Sequence, residues 1–117
     1  MDFLLEEVDD IKIIRIKEER LDSHLAPDLK TQLLVLNKQG GKVIIDLTKT
    51  QYIDSSGLGA LLLGLRQAKE ANTQFAICGA QKRVRNLINI AHLDKVLVNY
   101  ENEFEAIEAM NKENSDE

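Results

Sequence analysis

Apolar and polar positions alternate along this chain with two periods, and the changes between them outline its elements. Phe3 to Val8 and Ile11 to Lys17 read as strands on either side of Asp9-Asp10, a turn-forming pair. Within Ile11-Lys12-Ile13-Ile14-Arg15-Ile16, the isoleucines at 11 and 13, joined by 14 or 16, predict one well-buried face. Glu18 to Ser23 is a polar connection. Leu25, Leu29, Leu33 and Leu36 then recur at spacings of four and three, which marks a helical face. Pro27 fits the first turn of that helix, where its missing N–H costs nothing. Gly40-Gly41 ends the helix and opens Lys42-Val43-Ile44-Ile45-Asp46-Leu47, a β-branched run suited to a buried strand.

The second half repeats the alternation. Leu58 to Ala71 has helical length and no proline, and at 100° per residue Leu58, Leu61, Leu62 and Leu65 share a broad core face. Leu63 falls roughly opposite, among Gly59, Arg66, Gln67 and Glu70. Thr73 to Cys78 is a further strand, closed by Gly79. A third helix carries Val84, Leu87, Ile88 and Ala91 on one face. Lys95 to Val98 is expected as a short edge strand, and Phe104, Ile107 and Met110 form the stripe of a last helix. Strands alternating with helices after an opening hairpin predict an α/β fold. It is expected to be a single domain over residues 1–110, with a central mixed, largely parallel sheet and about four helices. Residues 111–117 have nothing to bury and are expected to be an acidic, disordered tail.

Between the central strand and its helix lies Tyr52-Ile53-Asp54-Ser55-Ser56-Gly57-Leu58-Gly59. Its place on a helix-opening connection puts Asp54, Ser55 or Ser56 near the N-cap. Gly57 and Gly59 add no bulk, so another backbone can come close there. A serine hydroxyl at that end lies beside unpaired helix N–H groups that favour negative charge. The fold would tolerate a phosphate on it, while the surface would change sharply. Capping alone asks for less than two serines, an aspartate and two glycines. Ser56 is then either the residue bonding the helix N–H groups or a minor second site.

Tyr-Ile-Asp-Ser-Ser-Gly-Leu-Gly after a Val-Ile-Ile-Asp-Leu strand resembles the STAS domain of bacterial anti-sigma factor antagonists, over about residues 3 to 110. The resemblance implies a non-enzymatic partner switch. The first serine after the aspartate, here Ser55, is the one phosphorylated in that family, by a kinase that is itself the anti-sigma factor. Unmodified protein would bind that kinase and free a sigma factor, and a cognate phosphatase would reset it. Asp54, Ser56, Gly57, Leu58, Gly59 and Leu63 are the expected partner-binding residues around Ser55. Family members usually carry a glycine shortly before the Leu-Asp pair, where this chain has Glu19. Asp22, of that pair, reads equally as a helix cap and as a partner contact. A STAS module serving secretion, motility or envelope control, or a scaffold never phosphorylated, is the alternative.

Composition narrows the classes further. The chain has 117 residues, 30% of them charged, and one cysteine, which excludes an internal disulfide. Residues 101–117 hold seven acids and one lysine, so the net charge of −5 belongs to the C-terminal end and the rest is nearly neutral. There is no basic stripe for nucleic acid, no run of membrane-spanning length and no signal peptide, so a cytoplasmic protein, monomeric or weakly dimeric, is expected. No cofactor or metal is implied. A serine hydrolase would need a histidine base, but only His24 and His92 exist and the motif does not fit the G-x-S-x-G elbow. A phosphoaspartate receiver built on Asp46 would need an acidic cluster beside it, and Asp9-Asp10 should lie at the opposite sheet edge. Cys78 reads as core. Lys82, Arg83 and Arg85 read as a solvated face or as a secondary patch for an acidic partner or phosphate.

Overall fold

The computed structural model describes residues 2–38 and 40–115. Strands β1 (Phe3–Val8) and β2 (Ile11–Ile16) form an antiparallel hairpin, with Asp9 taking the positive φ of 57° that its turn requires. Next come β3 (Arg20–Leu21), α1 (Ala26–Lys38), β4 (Lys42–Asp46), β5 (Tyr52–Ile53) and α2 (Ser55–Glu70). The chain continues through β6 (Phe75–Cys78), α3 (Lys82–Ile90), β7 (Asn99–Tyr100) and α4 (Glu103–Ser115). The main sheet runs β1-β2-β4-β6-β7, parallel except for β1. This is the expected mixed α/β architecture with four helices.

The sheet is covered on both faces. Ile14, Ile16, Val43, Ile45 and Ile77 meet α1, α2 and α3, while Ile11, Ile13, Ile44 and Ala76 meet Ala106 and Met110 of α4. Side chains of a strand point alternately to opposite faces, so all four isoleucines of β2 are buried, two on each side. The expectation of a single buried face is corrected accordingly. β4 and β6 are buried at every position, which is why β6 and the Val43–Ile45 centre of β4 read as apolar runs, with Lys42 and Asp46 buried at the two ends of β4.

Four other expectations are corrected. The last strand is Asn99–Tyr100, not Lys95 to Val98. Leu97 drops into the core, and only the Val98 carbonyl joins the sheet, accepting from the Ile77 N–H at 2.9 Å. In α4 the buried residues are Ala106 and Met110, whereas Phe104 is 71% exposed. That helix continues to Ser115 instead of stopping at residue 110, and Asn111 donates to Asp9 in the hairpin turn at 3.1 Å. Asp116 and Glu117 of the expected tail lie outside the described residues. Arg20–Leu21, read as part of a polar connection, is a strand pairing in parallel with Tyr52–Ile53, because Leu21 and Ile53 are both buried.

An ionic cluster fastens α4 to the sheet. Arg15 on β2 holds Glu103 through two hydrogen bonds of 2.6 and 2.8 Å, and reaches Glu6 on β1 at 2.8 Å. Asp46, at the end of β4, accepts from the Thr48 N–H at 2.8 Å and from its hydroxyl at 2.5 Å. Burial works to raise the Asp46 carboxyl, but its hydrogen bond with Glu103, those from Thr48 and the Arg15 charge outweigh that and hold it below the ordinary aspartate value. Glu6 is likewise held down by its hydrogen bond and charge contact with Arg15.

Two glycines set how closely α2 packs. A Cβ at Gly64 would stand 2.6 Å from the Phe75 ring, and one at Gly57 would run into the Leu21 carbonyl oxygen. Gly59 has open space where its side chain would be. Gly57→Ala and Gly64→Ala should each cost about 1–3 kcal/mol in denaturant melts, since a backbone carbonyl and a buried ring have little room to give. Gly59→Ala should be neutral or gain up to ~1 kcal/mol, the helix-propensity difference. For the ionic cluster, depressed carboxyl pKa values in the folded state mean stability that is fully present above the ordinary values near 4. Urea midpoints should therefore hold from pH 7 to about 5 and fall as pH drops below ~4. Arg15→Met should lower stability at pH 7 and shrink that acid loss. An unchanged acid limb would contradict the assignment.

Candidate functional site

The site is assembled by the small parallel sheet. Pairing of Leu21 with Ile53 sets Asp22, the residue after β3, beside Asp54, the residue after β5. The Asp54 N–H donates to the Leu21 carbonyl at 3.4 Å, and the missing side chain of Gly57 lets the first turn of α2 approach that same carbonyl. Asp54 is the N-cap: its backbone is extended and its Oδ1 accepts from the Gly57 N–H at 2.9 Å. Ser55 is therefore the first helical residue. It is exposed, while Ser56 behind it is half-buried. Because Asp54 does the capping, Ser56 is not needed for it.

Asp22 is occupied locally. Its Oδ1 accepts from the His24 N–H at 3.0 Å, and its carbonyl accepts from Leu25 and Ala26, so it turns the chain into α1. It also stays next to Asp54, so both uses expected of it remain geometrically open.

Beyond the first turn, the leucines of α2 sort differently from the sequence reading. The buried line of the helix is Gly57, Ala60, Leu61, Gly64 and Ala68, all small except Leu61, and the small ones let α2 sit close to α1 and β6. Leu58 and Leu65 pack against this core from one side. Leu62, expected in the core, is half-buried and belongs to neither core cluster, and Leu63 shares that state instead of being fully exposed. At helical spacing, Ser55, Gly59, Leu62, Leu63 and Arg66 share the outward side of α2. The missed residue is Leu62. Its signal was the run of small residues, which locates the close-packed line better than the leucines do.

The residues considered for other chemistry sit apart from Ser55. Asp10 reaches Lys42 at the start of β4, with N···O 3.3 Å, while Asp46 ends that strand, so the two acids lie at opposite ends of β4. Cys78 is fully buried, and burial, with the Asp46 and Glu103 charges adding, pushes its thiol up to about 12. His24 lies in the turn after Asp22, and His92 takes a left-handed conformation (φ 60°) just past α3, bonding Asn89 through its own N–H. Among the described residues no helix is long and apolar enough to cross a membrane.

Comparison with known proteins agrees with this geometry. The family model described as STAS domain matches residues 2–107. An anti-sigma F factor antagonist of Paenibacillus polymyxa is 27% identical over 99 residues, covering 83% of this chain and 84% of that protein. The structure of an anti-sigma-factor antagonist (STAS) domain protein from Planctomyces limnophilus superposes with a TM-score of 0.86 at 24% identity, covering 95% of this chain and 99% of that one. The anti-sigma factor antagonist SpoIIAA of Bacillus is similar in its unphosphorylated form (TM-score 0.81, 23% identity, 94% of this chain and 96% of that one). Its phosphorylated form gives 0.74 and 23%, over 92% and 97%. With its antiparallel hairpin, parallel sheet and helix-opening Asp-Ser-Ser-Gly loop, the chain belongs to the STAS domain family, among relatives named as anti-sigma factor antagonists.

Proposed function

We propose that this protein is a non-enzymatic, phosphorylation-controlled partner switch that antagonises an anti-sigma factor. The observation that carries the reading is an exposed Ser55 at the first position of a capped helix, at the head of an outward stripe containing Gly59, Leu62 and Leu63. A partner can cover hydroxyl, open glycine and leucines together. The unmodified form binds an anti-sigma serine kinase and so releases a sigma factor. Phosphorylation of Ser55 ends that contact, and a phosphatase restores it. Asp22 and Asp54 would frame the loop the kinase reads, while Leu58 contributes through its partly exposed edge.

Two physical features favour this reading. The phosphate would stand at the positive end of α2, where charge is tolerated without repacking. At an interface the same dianion must be desolvated, which costs several kcal/mol unless the partner supplies cations. Similarity to SpoIIAA, solved in both unphosphorylated and phosphorylated forms, supports the idea that this fold carries the modification intact.

Calorimetry against the co-encoded kinase tests it. Ser55→Ala should bind as the parent does, and Leu62→Glu and Leu63→Glu should weaken binding while melting like the parent. Phosphorylated protein and Ser55→Asp should lose roughly two orders of magnitude in affinity, the equivalent of about 3 kcal/mol. Equal affinity of Ser55→Ala and the phosphorylated form would overturn the switch.

A further inference from the structure

Three residues ahead of Ser55, the ring of Tyr52 is flanked by two guanidinium groups. The Cζ of Arg20 lies 4.9 Å from the ring centroid and that of Arg83 lies 5.9 Å from it. Arg20 comes from β3, in register opposite Tyr52, and Arg83 from the first turn of α3. Each gains a cation–π contact, but the two positive charges gathered at one ring repel one another. Among the described residues neither pairs with a carboxylate, whereas Lys12, Arg15 and Lys42 all do. The nearby acids are turned to other work: Asp54 to the Gly57 N–H and Asp22 to the His24 N–H. Glu19 precedes Arg20 in the chain, and Lys82 adds a further positive charge before Arg83. Two arginines drawn from different elements are thus gathered around one ring, and among the described residues neither has a carboxylate partner.

Three residues of chain span at most about 11 Å. That bounds the separation of the Tyr52 and Ser55 Cα atoms, and Arg20 is paired with Tyr52 on the neighbouring strand, so the arginines at the Tyr52 ring and the Ser55 hydroxyl belong to the same end of the fold. We propose that Arg20 and Arg83 form a clasp that receives the phosphate of phosphorylated Ser55 within the same chain. The inference rests on Ser55 being the modified residue and adds a structural consequence of its modification. The guanidiniums leave the face of Tyr52 to hold the phosphate in charge-assisted hydrogen bonds. The surface ahead of α2 therefore changes in shape as well as charge. Lys82 and Arg85 remain on the solvated start of α3.

The test needs no kinase. Phosphoserine is installed at position 55 by encoded incorporation, and its phosphorus resonance is followed against pH in the parent and in Arg20→Gln/Arg83→Gln. The second phosphate pKa should be lower in the parent by about half a pH unit or more, because two adjacent cations favour the dianion. The arginine Nε resonances of the phosphorylated parent should also move, which reads the clasp without relying on the variant. Equal values in both proteins with unmoved arginine signals would overturn it. So would a value depressed equally in both, which would assign the field to the helix N-terminus alone. Inorganic phosphate added to unmodified protein should leave the arginine signals in place, since the clasp needs the tether; binding at millimolar phosphate would instead mark a free-anion site and overturn the assignment. Because the phosphate is installed directly, a working clasp with no effect on kinase binding would sink the switch and not the clasp.

Discussion

The working end of this protein hangs on one close approach, the first turn of α2 against the carbonyl of Leu21. Gly57 permits it, since a methyl group there would collide with that oxygen. The Asp54 N–H bonds the same carbonyl, and the Asp54 side chain closes the turn through the Gly57 N–H. With the helix start pinned from both sides, Ser55 has one way to face, which is outward. The connection that looks like a loop in sequence is therefore a rigid seat. A modification placed on it would act on the surface and leave the core alone.

The same economy runs through the packing. A line of mostly small residues brings α2 close to α1 and β6, and its leucines other than Leu61 are pushed to the flanks and outward side. Half-buried leucines beside an exposed serine are unremarkable singly. Placed together on a helix whose entry is fixed, they make a surface that a partner can bury, and a dianion at its head makes burial costly. Stability is supplied elsewhere, by a sheet covered on both faces and by Arg15 tying β1, β2 and α4 together. Separating the two duties would let the proposed switch surface change without loosening the fold.

Most of the fold was legible because its signals are local. The leucine spacing of α1, the turn at Asp9-Asp10 and the β-branched run of β4 each name their element directly. What escaped depended on contacts distant in sequence. The β3–β5 pairing needs Leu21 to find Ile53, and the extension of α4 is anchored by Asn111 meeting Asp9. In the site, Asp54, Ser55 and Gly57 could be read because capping and close approach demand particular residue types. The sorting of Leu58, Leu62 and Leu63 could not, because hydrophobicity says a leucine prefers burial but not which side of a helix its neighbours will cover. The pairing of Arg20 and Arg83 around Tyr52 is still less visible, since it joins three elements.

The central claim is that phosphate at Ser55 remodels a surface and spares the core. Native-state hydrogen exchange of the protein with encoded phosphoserine at position 55, against the unmodified protein, addresses it most directly. Amides of β4 and β6 should keep their protection, with differences confined to the start of α2 and the neighbouring β3–β5 pair. Loss of protection across β4 and β6 would contradict the account, because it would mean that modification acts by loosening the fold.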